Sequence, residues 1–304
     1  MQANAKEAKL PPVKKGKKNF SVFPFVNGLF FLLFCLFILV PLWKVLVDSL
    51  DLTTGYGMKL WPENFGLAGY QSVFSNPTLL RPLMISVVTT VAGTFLGLFL
   101  STVGAYVLIQ WDMPGRNFFA GIMLFTMIFQ GGMIPTYLLV NKLGLLNTYW
   151  SVVLPGAINV FNMIIMRTSF QGLPVELNES AYIDGANDLQ ILWKIVLPLS
   201  KPILATMVLF YAVAHWNGYV HAMLYFTDKN MYPIQLYVRS LVLSGMTEMT
   251  SLSMELTTGA DAFNVAQRSI QYGVIIAATL PILLIYPFIS KYFEKGVMIG
   301  SLKG

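Results

Sequence analysis

Two groups of residues in this 304-residue chain could do chemistry, and neither is a cluster of acids, histidines or metal ligands of the kind covalent catalysis needs. The first is polar but lies inside apolar sequence: Asn159 and Asn162 in one stretch, and Tyr211, His215, Trp216, Asn217, Tyr219 and His221 in another. Hydroxyls, amides and aromatic rings in that mixture suit a sugar, whose hydroxyls need paired donors and acceptors while its flatter C–H faces pack on rings. Polar groups inside apolar spans are expensive and turn toward protein or water, so interhelical hydrogen bonding is the competing use for each of them. Tyr211, His215 and Tyr219 fall on one face at helical spacing. His215 and His221 lie six apart, facing away from each other on a continuous helix, with no carboxylate beside them, which speaks against a metal.

The second group stands in a polar stretch, residues 167–202: Glu179, Ser180, Ala181, Tyr182, Asp184, Gly185, Ile195, Leu197 and Pro198. Its chemistry is mechanical. Pro174 suits the start of a short helix that Gly185 can end with a left-handed cap, and Asn187 or Asp188 can cap a second helix that stops before Pro198. A short helix on a glycine hinge between two spans can act as a lever, and the small Ala181 and Gly185 let a partner approach closely. No segment matches the phosphate-binding pattern G-x4-G-K-[ST], and Cys35, the single cysteine, sits in an apolar run where packing is its expected role.

The elements that carry these groups follow from composition. Hydrophobic residues make up 56% of the chain and charged ones 11%, against roughly 25% charge in a soluble domain. The apolar runs are continuous rather than alternating, so helices and not a barrel are expected to cross a bilayer. Six spans are predicted, over about 25–47, 83–109, 118–140, 151–166, 203–226 and 272–289, making 23–290 one transmembrane domain. A basic tail precedes it over 1–22 and a short tail follows over 291–304. The first apolar run continues through Pro41, Trp43 and Lys44 instead of meeting a cleavage site, so it is read as a retained span. An even number puts both termini on one side. Thirteen of the 20 lysines and arginines then fall on that side, among them the six of the N-terminal tail, which predicts cytoplasmic termini. The +6 charge is therefore topological, and no nucleic-acid partner is expected.

Within the inner loop 174–200, Glu179, Ala181, Gly185, Ile195, Leu197 and Pro198 give E-x-A-x3-G-x9-I-x-L-P. This resembles the EAA loop of ATP-binding-cassette importer permeases, with serine at 180 where the family usually has alanine. Gly131 through Ile134-Pro135-Thr136 to Leu145-Leu146-Asn147-Thr148-Tyr149-Trp150 is similar to permeases of the maltose type, as are Trp216-Asn217 and Gly296-Val297-Met298. The likeness covers most of the chain after about residue 65 and is strongest to bacterial oligo- and polysaccharide importer permeases. It implies an all-α, type I importer fold with six transmembrane helices and a cytoplasmic coupling helix in the bacterial cell membrane. It further implies a second permease subunit, two copies of a separate ATPase that binds ATP and magnesium, and an extracytoplasmic solute-binding protein. No cofactor is expected in this chain itself.

Gly93, Gly97, Ser101 and Ala105 place a small residue at every fourth position of the second span, inviting close approach by a helix of this chain or of the second permease. Glu248, Glu255, Asp261 and Arg268 stand in a long outer segment that is either a solvated loop or a docking site for the binding protein. The alternative reading, an ion-coupled secondary transporter, calls for a central intramembrane carboxylate, and none stands within the six spans.

Overall fold

The computed structural model describes residues 22–53, 57–110, 112–252 and 269–287. The basic N-terminal tail, the C-terminal tail and the outer-loop residues Glu255, Asp261 and Arg268 lie outside these residues. Among the described residues the chain is helical, and its one β-bridge joins Asp51 to Phe65.

Helix α1 (Val22–Leu50) is exposed along every residue from Phe23 to Trp43 and buries side chains only near its end, at Val47 and Ser49. There the Ser49 and Tyr70 hydroxyls share a hydrogen bond of 2.7 Å. The loop that follows is stapled by one carboxylate. Asp51 accepts from the backbone N–H and hydroxyl of Thr53, from the backbone N–H of Asn64 and from the Lys59 ammonium at 2.9 Å, and Lys59 also reaches Glu63. Burial alone would raise the Asp51 carboxyl, but its bonds to Lys59, Thr53 and Asn64 outweigh that and hold it at about 2.

A short α2 (Ala68–Ser75) leads to Asn76, whose side chain caps α3 (Pro77–Val107) by accepting from the Thr78 N–H at 2.9 Å, with Pro77 at the first helical position. At 31 residues α3 is ~46 Å long, more than the ~30 Å of a hydrocarbon core. It is the axis of the molecule. The expected small-residue stripe turns toward α11 (Lys201–Asn217), and all four of its residues are buried. A Cβ on Gly93 would stand 2.5 Å from the His215 ring, and one on Gly97 would stand 2.7 Å from the Tyr211 ring. The Ser101 hydroxyl meets that of Tyr211 at 2.5 Å.

Three expected spans are broken. The stretch 118–140 is two helices, α4 (Arg116–Ile128) and α5 (Met133–Lys142), bent by 112° where Gly131 and Gly132 interrupt the run and Gly132 takes φ 86°. The stretch 151–166 holds a single turn, α6 (Trp150–Val153), then Pro155 and Gly156, then α7 (Val160–Gln171). The stretch 203–226 breaks at Gly218 between α11 and α12 (Tyr219–Tyr225). By length and composition three helices can cross a bilayer, α1, α3 and α14 (Ser269–Pro287), or five if each sharply bent pair counts as one span. The segment read as an outer loop is also different: it carries a 19-residue helix, α13 (Ile234–Leu252), because Ile234 and Leu236 are core residues and Ser86 accepts the Ile234 N–H at 2.7 Å.

Two apolar clusters occupy the two ends of α3. One gathers Val73, Leu79, Trp216, Ile234, Val274, Ala277 and Ala278; the other gathers Ala105, Tyr106, Met163, Met166, Ala181, Ile191, Val196 and Met207. The polar segment 174–200 is thus packed at the opposite end of α3 from α2 and the start of α13.

The glycine seam predicts that Gly97→Val, which must displace the Tyr211 ring, destabilises the protein by about 1–3 kcal/mol and lowers its melting temperature in detergent; an unchanged melting curve contradicts this. Because the Asp51 carboxyl is depressed, its contribution is complete above the ordinary carboxylate range and is lost as pH falls toward 2. Asp51→Asn should therefore open the 51–66 loop to proteolysis at neutral pH as acid does in the parent.

Candidate functional site

The polar segment forms an elbow. Its first arm, α8 (Val175–Ile183), follows Pro174 and ends in a Schellman motif. The Gly185 N–H donates to Tyr182 at 3.0 Å, the Ala186 N–H donates to Ala181 at 2.9 Å, and Gly185 takes φ 79°. Asn187 then opens α9 (Asp188–Ile191) with a capping box: its side chain accepts the Gln190 N–H at 2.9 Å, and the Gln190 side chain accepts the Asn187 N–H at 3.0 Å. The helix continues through a π turn, Leu192–Val196, where the Leu197 N–H reaches back five residues to the Leu192 carbonyl, and through α10 (Leu197–Leu199) before Ser200 leads into α11. The α9-to-α10 rod meets α11 at 85°.

Asp188 ties the elbow to the rest of the molecule. Its carboxylate accepts from the Tyr182 hydroxyl, locking α8 to α9, and its backbone carbonyl accepts from the Tyr106 hydroxyl on α3 at 3.0 Å. The hydrogen bond to Asp188, with burial added, pushes the Tyr182 hydroxyl well above the usual phenol range. Tyr106 and the tying role of Asp188 escape sequence reasoning, since a tyrosine at a span end carries no pattern of its own.

The two faces of the elbow differ. Ala181, Ile191, Leu192 and Val196 are buried in the cluster at the end of α3, and Ile195 and Leu197 pack around them. Glu179, Ser180, Asp184 and Pro198 are exposed, with the Ser180 hydroxyl returned to the Glu176 carbonyl. Between these polar groups Val175, Leu177, Ile183, Leu189 and Trp193 present bare apolar side chains, Ile183 at 87% exposure. An apolar patch on an otherwise polar loop marks a contact surface.

The second site is a cavity of ≈260 Å³ lined by Thr89, Asn159, Asn162, Tyr211, His215 and His221. Four of the seven residues singled out for a pathway therefore converge: Asn159, Asn162, Tyr211 and His215. Thr89 extends the small-residue register by one step, a signal that was available in the spacing. The break at Gly218, with ψ 61°, turns α12 so that His221 lines the same cavity as His215, contrary to the continuous-helix expectation. The same break carries Tyr219 off the face of Tyr211 and His215; the Arg239 guanidinium sits 5.9 Å from its ring. Trp216 is a clamp, its indole N–H donating to the Ala278 carbonyl at 3.0 Å, and Asn217 borders an apolar groove between α1 and α14.

The Tyr211 hydroxyl is occupied, meeting Ser101 and accepting the Asn159 N–H at 3.3 Å. Asn159 also caps α7, its side-chain oxygen accepting the Asn162 N–H at 3.0 Å. Among the described residues no group of three or more His, Cys, Asp or Glu is placed to hold a metal.

Comparison with known proteins places this geometry. The family described as binding-protein-dependent transport system inner membrane component matches residues 113–299. Protein LplC of Bacillus subtilis (strain 168) is 47% identical over 248 residues, covering 81% of each chain. The polygalacturonan/rhamnogalacturonan transport system permease protein YtcP of the same organism is 44% identical over 278 residues, covering 90% of this chain and 96% of its own. In three dimensions the chain superimposes with a TM-score of 0.79 on a bacterial ABC transporter involved in the import of the acidic polysaccharide alginate, at 29% identity, covering 93% of this chain and all of that one.

The elbow predicts that Tyr182→Phe, which deletes one hydroxyl, speeds amide exchange at Gly185 and Ala186 by about fivefold, the loss of roughly 1 kcal/mol from one hydrogen bond; unchanged exchange would show that the Schellman motif holds without Asp188.

Proposed function

The chain belongs to the binding-protein-dependent transport system inner membrane components, and on that premise we propose that it forms half of the translocation pathway of an ATP-driven importer of oligo- or polysaccharide. It is a membrane transport permease subunit with an ABC importer fold. The finer reading concerns its partners and their arrangement. A separate ATPase pair binds ATP and magnesium, a second permease subunit completes the pathway, and an extracytoplasmic binding protein delivers the saccharide in a bacterial cell membrane. The residues between Pro174 and Ser200 then face the cytoplasm, with both termini on that side.

One observation carries this reading: an exposed apolar elbow, including Ile183, Leu189 and Trp193, is hydrogen-bonded through Asp188 to a helix long enough to cross the membrane. Nucleotide can shift the spans only if it favours one state over the other, and a rigid elbow docked on the ATPase gives it a handle on α3, α7 and α11. Glu179, Ser180, Tyr182 and Asp184 border the docked face, while Ala181, Ile195 and Leu197 hold the elbow to the spans. Docking of the binding protein on residues 245–262, part of which continues α13, belongs to the same proposal.

Mild detergent extraction from native membranes should bring down a second hydrophobic subunit and a nucleotide-binding protein; isolation of the chain alone would count against the reading. Ile183→Asp should cut ATP-driven uptake by at least about tenfold, equal to ~1.4 kcal/mol at a docking hot spot, without loss of the chain from the membrane. Gly185→Val should do the same through backbone strain of about 1–2 kcal/mol, since a Cβ there meets nothing within 4 Å. Impermeant labelling of a cysteine at position 182 should succeed only from the inner face.

A further inference from the structure

Helix α1 carries its own ruler. From Phe23 to Trp43 every residue is exposed and none is charged, a stretch ~31 Å long against the ~30 Å of a hydrocarbon core. The first charge, Lys44, is ion-paired to Asp48 one turn later. Trp43 and Lys44 therefore mark the level where hydrocarbon ends and headgroups begin, the depth at which tryptophan collects.

The chain climbs past that level and comes back. Beyond Trp43, α1 continues for ~10 Å to Leu50, where the loop is closed at its base. Asp51 bridges Phe65, the Leu52 N–H donates to the Asn64 carbonyl and the Gly66 N–H donates to the Leu50 carbonyl, both at 2.9 Å. The tip of the loop is tied down to α1. The Trp43 indole N–H donates to the Leu60 carbonyl at 2.9 Å, and the rings of Trp43 and Trp61 lie 6.4 Å apart.

Outward, this tip is apolar. Met58, Leu60 and Trp61 are 72–74% exposed, whereas the Lys59 side chain, only 14% exposed, runs back to Asp51, Thr53 and Glu63. Met58 and Leu60 also border the groove of ≈870 Å³ between α1 and α14, whose walls include Leu36, Leu39, Ile282 and Leu283. The tip is thus continuous with the apolar surface of the span. Two features keep it out of the hydrocarbon itself. Its backbone is irregular, and hydrocarbon satisfies no free peptide group. The Trp61 indole N–H, without a partner among the described residues, needs an acceptor. The headgroup layer offers that acceptor and apolar contact together.

We propose that residues 58–61 are a membrane-interface anchor, seated on the phospholipid headgroups of the leaflet that the C-terminal end of α1 reaches. Met58 and Leu60 lie against the upper acyl chains, and the Trp61 indole donates to a lipid ester or phosphate oxygen. The Asp51–Lys59 pair sets the height of the tip. The proposal goes beyond the importer reading and needs only that α1 crosses a bilayer.

The test places the full complex in phosphatidylcholine nanodiscs and takes the Trp61 fluorescence as parent minus Trp61→Phe. Bromines near the carbonyl end of the acyl chains should quench it about twofold more than bromines near the methyl end, as for a ring at headgroup depth. Acrylamide in the water should reach it little, and Asp51→Asn should shift the quenching toward acrylamide. A nitroxide on Met58→Cys, in a Cys35→Ser background, gives an independent readout: collisions with oxygen should exceed those with an aqueous nickel chelate. Quenching by acrylamide alone, with the chelate exceeding oxygen, would put the tip in water. Quenching by neither agent would put it against a protein, either the second permease or the binding protein. Each of these results overturns the proposal, as does stronger quenching from the methyl end, and unchanged quenching in Asp51→Asn overturns the height-setting role of the pair.

Discussion

Between α3 and α11 there is no room for another carbon, and the rest of the molecule is arranged around that fact. In a bilayer, lipid tails are as apolar as leucine, so helices associate through close packing and hydrogen bonds rather than by escaping water. Gly93 and Gly97 let the His215 and Tyr211 rings lie on the α3 backbone, and Ser101 closes the contact with a hydrogen bond to the Tyr211 hydroxyl. The polar cavity opens beside this seam and borrows its walls from both helices. At the far end the same seam continues through Ala105 and Met207 into the cluster on which the elbow rests. A movement that separates α3 from α11 thus alters the cavity and the elbow together.

The elbow is held together as one piece. Both helix ends at its bend are capped: a Schellman motif closes α8, a capping box opens α9, and a carboxylate spans the turn between them. Such satisfied ends leave little for fraying, so force applied at Ile183 or Trp193 reaches Tyr106 and the spans instead of being absorbed locally. At the 85° corner before α11 the rod meets the helix that carries Tyr211 and His215, so in the proposed mechanism a push along the rod tilts that helix.

Much of this was visible in the residues. Gly185 announced a left-handed cap and Asn187 a helix start, because both signals are local backbone chemistry. The stripe from Gly93 to Ala105 announced a tight neighbour for the same reason. The broken spans were not visible as breaks, since apolar content averaged over twenty residues hides what Gly131-Gly132, Pro155-Gly156 and Gly218 do to direction. The start of α13 was hidden for the opposite reason: its polar residues made it look like loop, while Ile234 and Leu236 find a core that only the tertiary arrangement supplies. Trp216 looked like a ring for sugar and is a strut to α14, because an indole N–H within apolar surroundings must find a carbonyl. His221 joined the cavity only through the rotation at Gly218.

The wide turn over Leu192–Val196 gives the motif's fixed spacing a physical meaning. Ile191 and Val196 are five residues apart, which in an unbroken α-helix would place them about 140° apart around the axis, yet both are buried in one cluster. The i-to-i+5 turn restores their phase. Between Asn187 and Pro198 it is therefore the number of peptide units, more than the identity of most side chains, that keeps the inner face inward, and a single-residue insertion or deletion there would rotate the rod out of phase with the spans it packs against.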